Sequence, residues 1–537
     1  MFNIPGTNSR LDLNGSVSYR DYLRDEFSQD LYEYPQDAAQ PEDFRHNYGR
    51  YRLKEGQYNV QAKLYQYFLD NGNLQIHPFV GVQQFFTQLS DGLYRLDELP
   101  GWSQTNPLEQ LPSERAWLQT VVDNTNSYVN HRRDLNGNVG AEVKYEGKVF
   151  SFISTLPLLL RRERQEYVRA QIDTLFYRNT LAFNPTASVF FLFRNKEKKK
   201  YGTLAFDYKG NSIQPSMITL LDTRSDSNPL RVTLGNPDLK SSYRHHAEVS
   251  YRFRNEKTSR FMNAQFGYDV THNNVAYGFT YDPATGVYTY RPENINGNYS
   301  LNAALGVTAP LDKARRLTLS NNLGWNYYHN VDLMGTDGAD VRRSTRSTVI
   351  TQLVSEQLRL DLDLGKYKLG AKGNVTWQGA TSERPDFEAI NAWNYQYGLT
   401  AQITLPWSVQ LNTDLTVYSR RGYAMRGMNT DDVVWNARVA KSFLQGNLTL
   451  MVDGFDILHQ LSGTSFAVNG QGRTETFRNV LPRYVMAHII YRLNIKPKSG
   501  RVTPDAPARP IHFFAYICRS RPFRPVWRGL MAYFTSC

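Results

Sequence analysis

A chain of 537 residues that is 41% hydrophobic and 13% aromatic is too long for one ordinary globular core, which leaves several domains, a repeat or a barrel. The net charge of +12 is uneven. Between Lys496 and Cys537 eight basic residues face one acid, so the body is only mildly basic and a basic nucleic-acid face loses most of its support. No run of 18 apolar residues occurs, which excludes a transmembrane helix but not membrane-spanning strands, half of whose side chains are polar.

The N-terminal MFNIPGTNSRLDLNGSVSYR has neither a basic nor an apolar leader region and does not read as a signal peptide. An exported barrel lacking one is expected to be mis-started or incomplete. The first predicted strand covers Arg10 to Tyr22, and its partner covers Gln57 to Phe68. Tyr58, Val60, Ala62, Leu64 and Phe68 alternate there with Gln57, Asn59, Gln61 and Lys63. A polar connection is expected between the two. Asp70-Asn71-Gly72-Asn73 then has hairpin-turn chemistry, and the chain resumes from Leu74 to Phe86.

This rhythm continues. Short turns are predicted near Tyr145–Lys148, Asn195–Lys200, Asn255–Ser259, Pro310–Ala314, Leu364–Lys366, Leu405–Trp407 and Leu444–Asn447. Longer connections are predicted over Asp91–Thr125, Lys209–Lys240, His272–Gly286, Gly379–Asn391 and Leu458–Gln471. The most explicit arm pair is QLRLDLDLGKYKLGAKGNVTW, Gln357 to Trp377. Leu358, Leu360, Leu362 and Leu364 alternate with Arg359, Asp361 and Asp363 before the turn. Tyr367, Leu369, Ala371, Val375 and Trp377 alternate with Lys366, Lys368, Lys372, Asn374 and Thr376 after it. Arms of about ten residues suit a tilted strand crossing a bilayer. Tyr145, Trp325, Tyr327, Trp377, Trp407 and Tyr418 cluster toward strand ends, as in an interfacial girdle. The fold class is therefore all-β, an antiparallel transmembrane β-barrel with about 18 visible strands, short turns on one rim and long loops on the other.

Two stretches carry a family resemblance. Leu234-Gly235-Asn236-Pro237-Asp238-Leu239-Lys240 resembles the "GNP-x-L-K" segment of TonB-dependent outer-membrane receptors of the Bacteroides type, with Ser241-Ser242 where Pro-Glu is common. Asp456 to Met486, through Arg478-Asn479-Val480-Leu481-Pro482-Arg483-Tyr484, resembles that family's closing hairpin, which ends at Tyr491-Arg492-Leu493-Asn494-Ile495. The resemblance implies a 22-stranded barrel in the outer membrane and energy-coupled uptake of a bulky nutrient: a glycan, metal chelate, cobalamin or peptide. It also implies a plug, a signal peptide and a segment for the energy-coupling protein, none of which is visible here. The expected division is a barrel over 1–495 and an atypical basic tail over 496–537, holding both cysteines, Cys518 and Cys537. The tail reads as frameshift-derived or disordered. The expected partners are outer-membrane lipid, the bulky ligand and, only with a plug present, the coupling protein. A passive porin or surface-adhesion barrel is the other reading.

No residue is assigned a catalytic, cofactor-binding or metal role, and no cofactor is expected. His245-His246 are adjacent on a strand and point to opposite faces, so they do not share an ion. Asp361 and Asp363 share a face near Lys366 and Lys368 and read as cross-strand ion pairs. Lys196–Lys200 reads as a solvated turn. His488, the one interior strand histidine that invites a catalytic reading, is assigned to packing of the lumen.

Overall fold

The computed structural model describes residues 2–4, 9–33, 42–68, 73–170, 172–221, 224–282, 285–334, 345–384, 387–423, 429–460, 464–469, 472–477, 483–492 and 517–518. These form one sheet of 25 strands and a separate two-stranded hairpin, Thr464–Asn469 with Gly472–Phe477. Eighteen strands of the sheet follow each other in an up-and-down meander. They are β1 (Arg10–Glu33), β2 (Glu42–Phe68), β3 (Leu74–Arg95), β4 (Tyr128–Glu146), β5 (Phe150–Arg169) and β6 (Ile172–Phe183, continuing as Thr186–Asn195). Next come β7 (Lys200–Ile213), β8 (Ser242–Asn255), β9 (Arg260–His272), β10 (Tyr299–Pro310), β11 (Leu317–Met334) and β12 (Thr345–Asp363). Last are β13 (Tyr367–Ser382), β14 (Ile390–Thr404), β15 (Val409–Arg421), β16 (Asp431–Phe443), β17 (Leu448–Phe455) and β18 (Tyr484–Tyr491).

The strand count and the alternation of short and long connections agree with the sequence reading, with two departures at β1–β2 and β6; residues 461–463 and 470–471 of the expected Leu458–Gln471 connection lie outside the described residues. Every short turn expected from Tyr145 onward joins two of these strands; Asp70–Gly72 of the first turn lie outside the described residues. The register separates two faces as the alternation requires. In the β12–β13 hairpin, Leu358, Leu360 and Leu362 oppose Gly373, Ala371 and Leu369 on the apolar face. Arg359, Asp361 and Asp363 oppose Lys372, Gly370 and Lys368 on the polar face. Exposed apolar side chains such as Leu160, Leu181, Leu399 and Val452 stand on the apolar face of their strands, as expected of a sheet whose one side meets lipid. Among the described residues β1 and β18 do not pair with each other, so the sheet is open at that seam.

The polar connection expected between Tyr22 and Gln57 is instead strand. β1 and β2 stay in register from Arg10↔Tyr65 to Glu33↔Glu42. At 24, 27 and 22 residues, β1, β2 and β3 reach roughly 70–90 Å at about 3.3 Å per residue. The apolar band of a membrane barrel is only about 25 Å tall. Above that band neither face needs to be apolar, so the period-two signal disappears while the ladder continues. Cross-strand ion pairs such as Arg20–Glu55 at 3.4 Å and Arg52–Asp21 at 3.3 Å line this extension. A second departure is β6. It leaves β5 by a tight connection, with Arg169 opposite Ile172, on the rim otherwise occupied by long loops. It then breaks at Asn184-Pro185, where proline has no N–H to continue the ladder.

The short-turn rim is held by local side-chain caps. Asp312 Oδ1 accepts the Leu317 amide at 2.8 Å in the β10–β11 turn, and this bond holds the carboxyl below its usual range. A depressed carboxyl stabilises the turn at and above neutral pH and loses that contribution as pH falls through its lowered value. Amide exchange should therefore show Leu317 protected at pH 7 and losing that protection only as pH falls below the ordinary carboxylate range. Asp312→Asn should lack that extra, pH-dependent protection.

Candidate functional site

The polar face of β4–β6 carries the most buried charge in the described chain. Arg132 and Asp134 sit on β4, Glu163 and Gln165 on β5, and Arg178 on β6, all on the polar parity. Glu163 is fully buried. Its carboxylate accepts from Arg132 Nη2 at 2.7 Å and from Arg178 Nε at 2.5 Å. Arg132 also pairs with Asp134 at 2.6 Å, and Gln165 donates to Asn130 at 2.7 Å. Two guanidiniums around one carboxylate, with a second carboxylate beside it, make a balanced cluster in which each charge is neutralised by a neighbour.

Loops from the long rim bind to this wall. Arg178 Nη1 donates to the Pro215 carbonyl at 2.9 Å, fixing the start of the 214–241 connection. Arg169 donates to the Thr125 carbonyl at 2.5 Å, and the Asn126 amide donates to Asp123 and Asp226 at 2.7 and 3.1 Å. Asn126 thereby joins the 96–127 and 214–241 connections. Residues 96–127 also build a core above the apolar band. Leu96, Leu99, Leu118 and Val121 pack on Tyr48 of β2. His46 is fully buried beside them. Trp102 Nε1 donates to its Nδ1 at 2.8 Å, and Nε2 lies 2.9 Å from the Leu108 carbonyl, so the proton belongs on Nε2.

The second loop assembly is a four-stranded sheet at the long-loop rim. Arg224–Asn228 pairs antiparallel with Arg231–Leu234, which pairs parallel with Val287–Ile295, which pairs antiparallel with Asn274–Asp282. Its aromatic residues converge. Tyr281 and Tyr288 lie 4.7 Å apart, Phe279 is 5.7 Å from both Tyr288 and Tyr290, and the Arg231 guanidinium lies 4.9 Å from the Tyr290 ring. Tyr277 and Tyr288 remain well exposed. Beneath, Ala276 and Ile295 pack on Val331 and Leu333 of β11.

The Gly235-Asn236-Pro237 segment explains how this sheet is anchored. Asn236 is buried. Its amide donates to the Pro292 carbonyl at 2.7 Å, and its side-chain oxygen accepts from the Asp238 amide at 3.0 Å and Arg291 at 3.3 Å. Its own N–H reaches the Thr219 carbonyl at 2.7 Å. A Cβ on Gly235 would lie 1.5 Å from the Leu221 carbonyl oxygen, so only glycine fits. The motif is thus a four-way clasp between the 214–241 and 273–298 connections.

On the opposite wall, Lys372 pairs with Asp414, and Arg438 grips Asp453 at 2.5 and 3.0 Å. His488 Nε2 lies 2.7 Å from Asp453, which places this histidine in the polar wall with a carboxylate neighbour. His245 and His246 do face opposite ways. His245 joins Tyr208, Tyr243 and His272 on the apolar face, while His246 lies 3.1 Å from Asp269 on the polar one. Asp363 pairs across strands with Lys368 at 3.2 Å, but Asp361 binds Arg359 of its own strand at 2.8 Å. Residues 196–199 form an exposed turn whose Lys198 amide is capped by Asn195. The tail after residue 492 lies outside the described residues apart from Ile517–Cys518, which bridges Met486 and Ala487.

The aromatic sheet and the Glu163 cluster were missed from sequence. The first had a signal, since Tyr277, Phe279 and Tyr281 alternate before Gly286 and Tyr288 and Tyr290 alternate after it. The second had none, because Arg132, Glu163 and Arg178 are distant in sequence.

No curated protein matches this chain. Among solved structures, the copper transporter OprC is 10% identical with a TM-score of 0.37, over 83% of this chain and 74% of that one. The siderophore receptor PirA from Acinetobacter baumannii is 10% identical with a TM-score of 0.36, over 89% and 74%. The FrpB iron transporter from Neisseria meningitidis (F3-3 variant) is 11% identical with a TM-score of 0.34, over 90% and 74%. The model of the outer membrane protein beta-barrel family matches residues 164–491, more than half of the sequence. Eighteen meandering strands with one apolar face, unequal rims and that match place this chain in the outer membrane protein beta-barrel family, as a protein of the outer membrane.

Proposed function

We propose that this chain is the barrel portion of a receptor for energy-coupled uptake of a bulky nutrient, and that it is not an enzyme. The observation that supports the reading most is the aromatic sheet of residues 224–295, clasped by Asn236 at the long-loop rim of a polar wall. Stacked tyrosines with a neighbouring arginine suit a ligand that presents ring faces, CH surfaces or a planar chelate. The polar wall below, with its charges already paired, suits passage rather than tight retention. A glycan, metal chelate, cobalamin or peptide fits this chemistry. The energy-coupling protein enters the reading only together with a plug.

Uptake by cells carrying the native gene tests this. Accumulation of a labelled member of those four classes should saturate, should stop when an uncoupler collapses the inner-membrane gradient, and should fall at least about tenfold on Tyr288→Ala/Tyr290→Ala, two aromatic contacts being worth about 1.5 kcal/mol or more. Uptake that persists with uncoupler and rises linearly with concentration would make the chain a passive pore instead.

A further inference from the structure

The apolar belt ends at an unusual row. On the apolar face of β4, β5 and β6, Val139, Leu158 and Phe183 form one row and Gly137, Leu160 and Leu181 the next. The row above is Leu135, Arg162 and Asn179, and above it stand Arg133, Arg164 and Tyr177. Phe86 of β3 flanks Arg133 in the same row. Two arginines therefore oppose each other directly across β4 and β5 at the level of an aromatic girdle, with Arg162 one row below. Measured along β5 from Phe150, the Arg162 row is about 30 Å and the Arg133–Arg164 row about 35 Å from the short-turn rim for a strand tilted by about 40°. That is where the outer-leaflet headgroups lie.

Like charges directly opposite each other destabilise a sheet. The polar face shows how this chain resolves such a pair, for Arg359 and Lys372 are opposed there and each has its own carboxylate, Asp361 and Asp414. The outward pair is not resolved that way. The neighbouring carboxylate Glu166 is engaged by Arg164 and by His131 at 3.5 Å. Arg133 and Arg162 are exposed and, among the described residues, form no ion pair. Three guanidiniums thus share one acid on a surface whose lower neighbours are leucine and phenylalanine.

We propose that Arg133, Arg162 and Arg164 bind the phosphate of an anionic lipid headgroup in the outer leaflet. Guanidiniums recognise phosphate oxygens through paired N–H donors. The leucines below would accept the acyl chains of the same lipid, and Phe86 and Tyr177 would flank its headgroup. A lipid satisfies both halves of this surface, whereas free phosphate satisfies only the upper half.

Native mass spectrometry of the purified chain in non-ionic detergent, titrated with phosphatidylglycerol or phosphatidylcholine, tests the assignment. The unaltered protein should retain phosphatidylglycerol in preference to phosphatidylcholine. Arg133→Gln/Arg162→Gln/Arg164→Gln should lower that affinity by about tenfold to a hundredfold, and Arg133→Gln alone, which removes no ion pair or side-chain hydrogen bond among the described residues, by about fivefold. Lysine at all three positions should restore most of the preference. Equal retention of the two lipids, unchanged affinity in both glutamine variants, or displacement of phosphatidylglycerol by an equal concentration of inorganic phosphate would each overturn the proposal.

Discussion

Glu163→Ala should destabilise the folded wall by about 3 kcal/mol, because it leaves two half-buried guanidiniums without the fully buried carboxylate they share. Arg132 would keep Asp134 as a partner, but Arg178 would retain only the Pro215 carbonyl. The loss would spread to the 214–241 connection, whose first anchor is that same arginine. Urea unfolding in detergent micelles followed by tryptophan fluorescence measures the effect. Glu163→Leu/Arg132→Leu/Arg178→Met should recover most of the stability, since apolar replacement of a whole buried ion cluster is often neutral or favourable. A single variant within about 1 kcal/mol of the parent would mean that water compensates the arginines.

Leu399→Lys should cost about 2–4 kcal/mol once the protein is inserted in a bilayer. Leu399 is 64% exposed on the apolar face of β14, opposite Ala371 and Leu415. That position lies between Tyr367 and Trp377 of the neighbouring strand, near the middle of the belt. Gln396→Lys, on the same strand but on the polar face, should cost little. Unfolding from phosphatidylcholine vesicles distinguishes the two. Equal costs for both substitutions would contradict the assignment of faces.

The hairpin at Gln357 to Trp377 was legible because its two alternations are in phase and any slip would turn lysines toward lipid. The short turns were legible for the same reason, as each is bounded by apolar rows. The extension of β1 and β2 was not, because a strand beyond the lipid band is not held to an apolar period, with only Phe27 and Tyr48 packed against the core built by residues 96–121, and Tyr22 to Gln57 then reads as loop. Gly235 and Asn236 stood out by resemblance, yet their clasp depends on Thr219, Leu221 and Pro292, which no local pattern brings together. The Arg133–Arg164 opposition likewise needs the β4–β5 register, although both arginines are plain in the sequence.

The meander has a kinetic consequence. Nearly every long strand pairs with its neighbour in the chain, so hairpins can assemble one after another at low entropic cost. The two ends of the described sheet are different, because β1 and β18 lie about 470 positions apart. Closing so long a loop costs roughly 5 kcal/mol of chain entropy if the rest were unstructured, and far less once the intervening strands have curled. Order of assembly therefore decides the barrier. Until the sheet has curled, β1 presents an edge that, among the described residues, is covered only at Arg10–Leu11 by Phe2–Asn3; so long an edge can template a foreign strand, and shielding it during membrane insertion is the task of a chaperone or of whichever strand pairs with it.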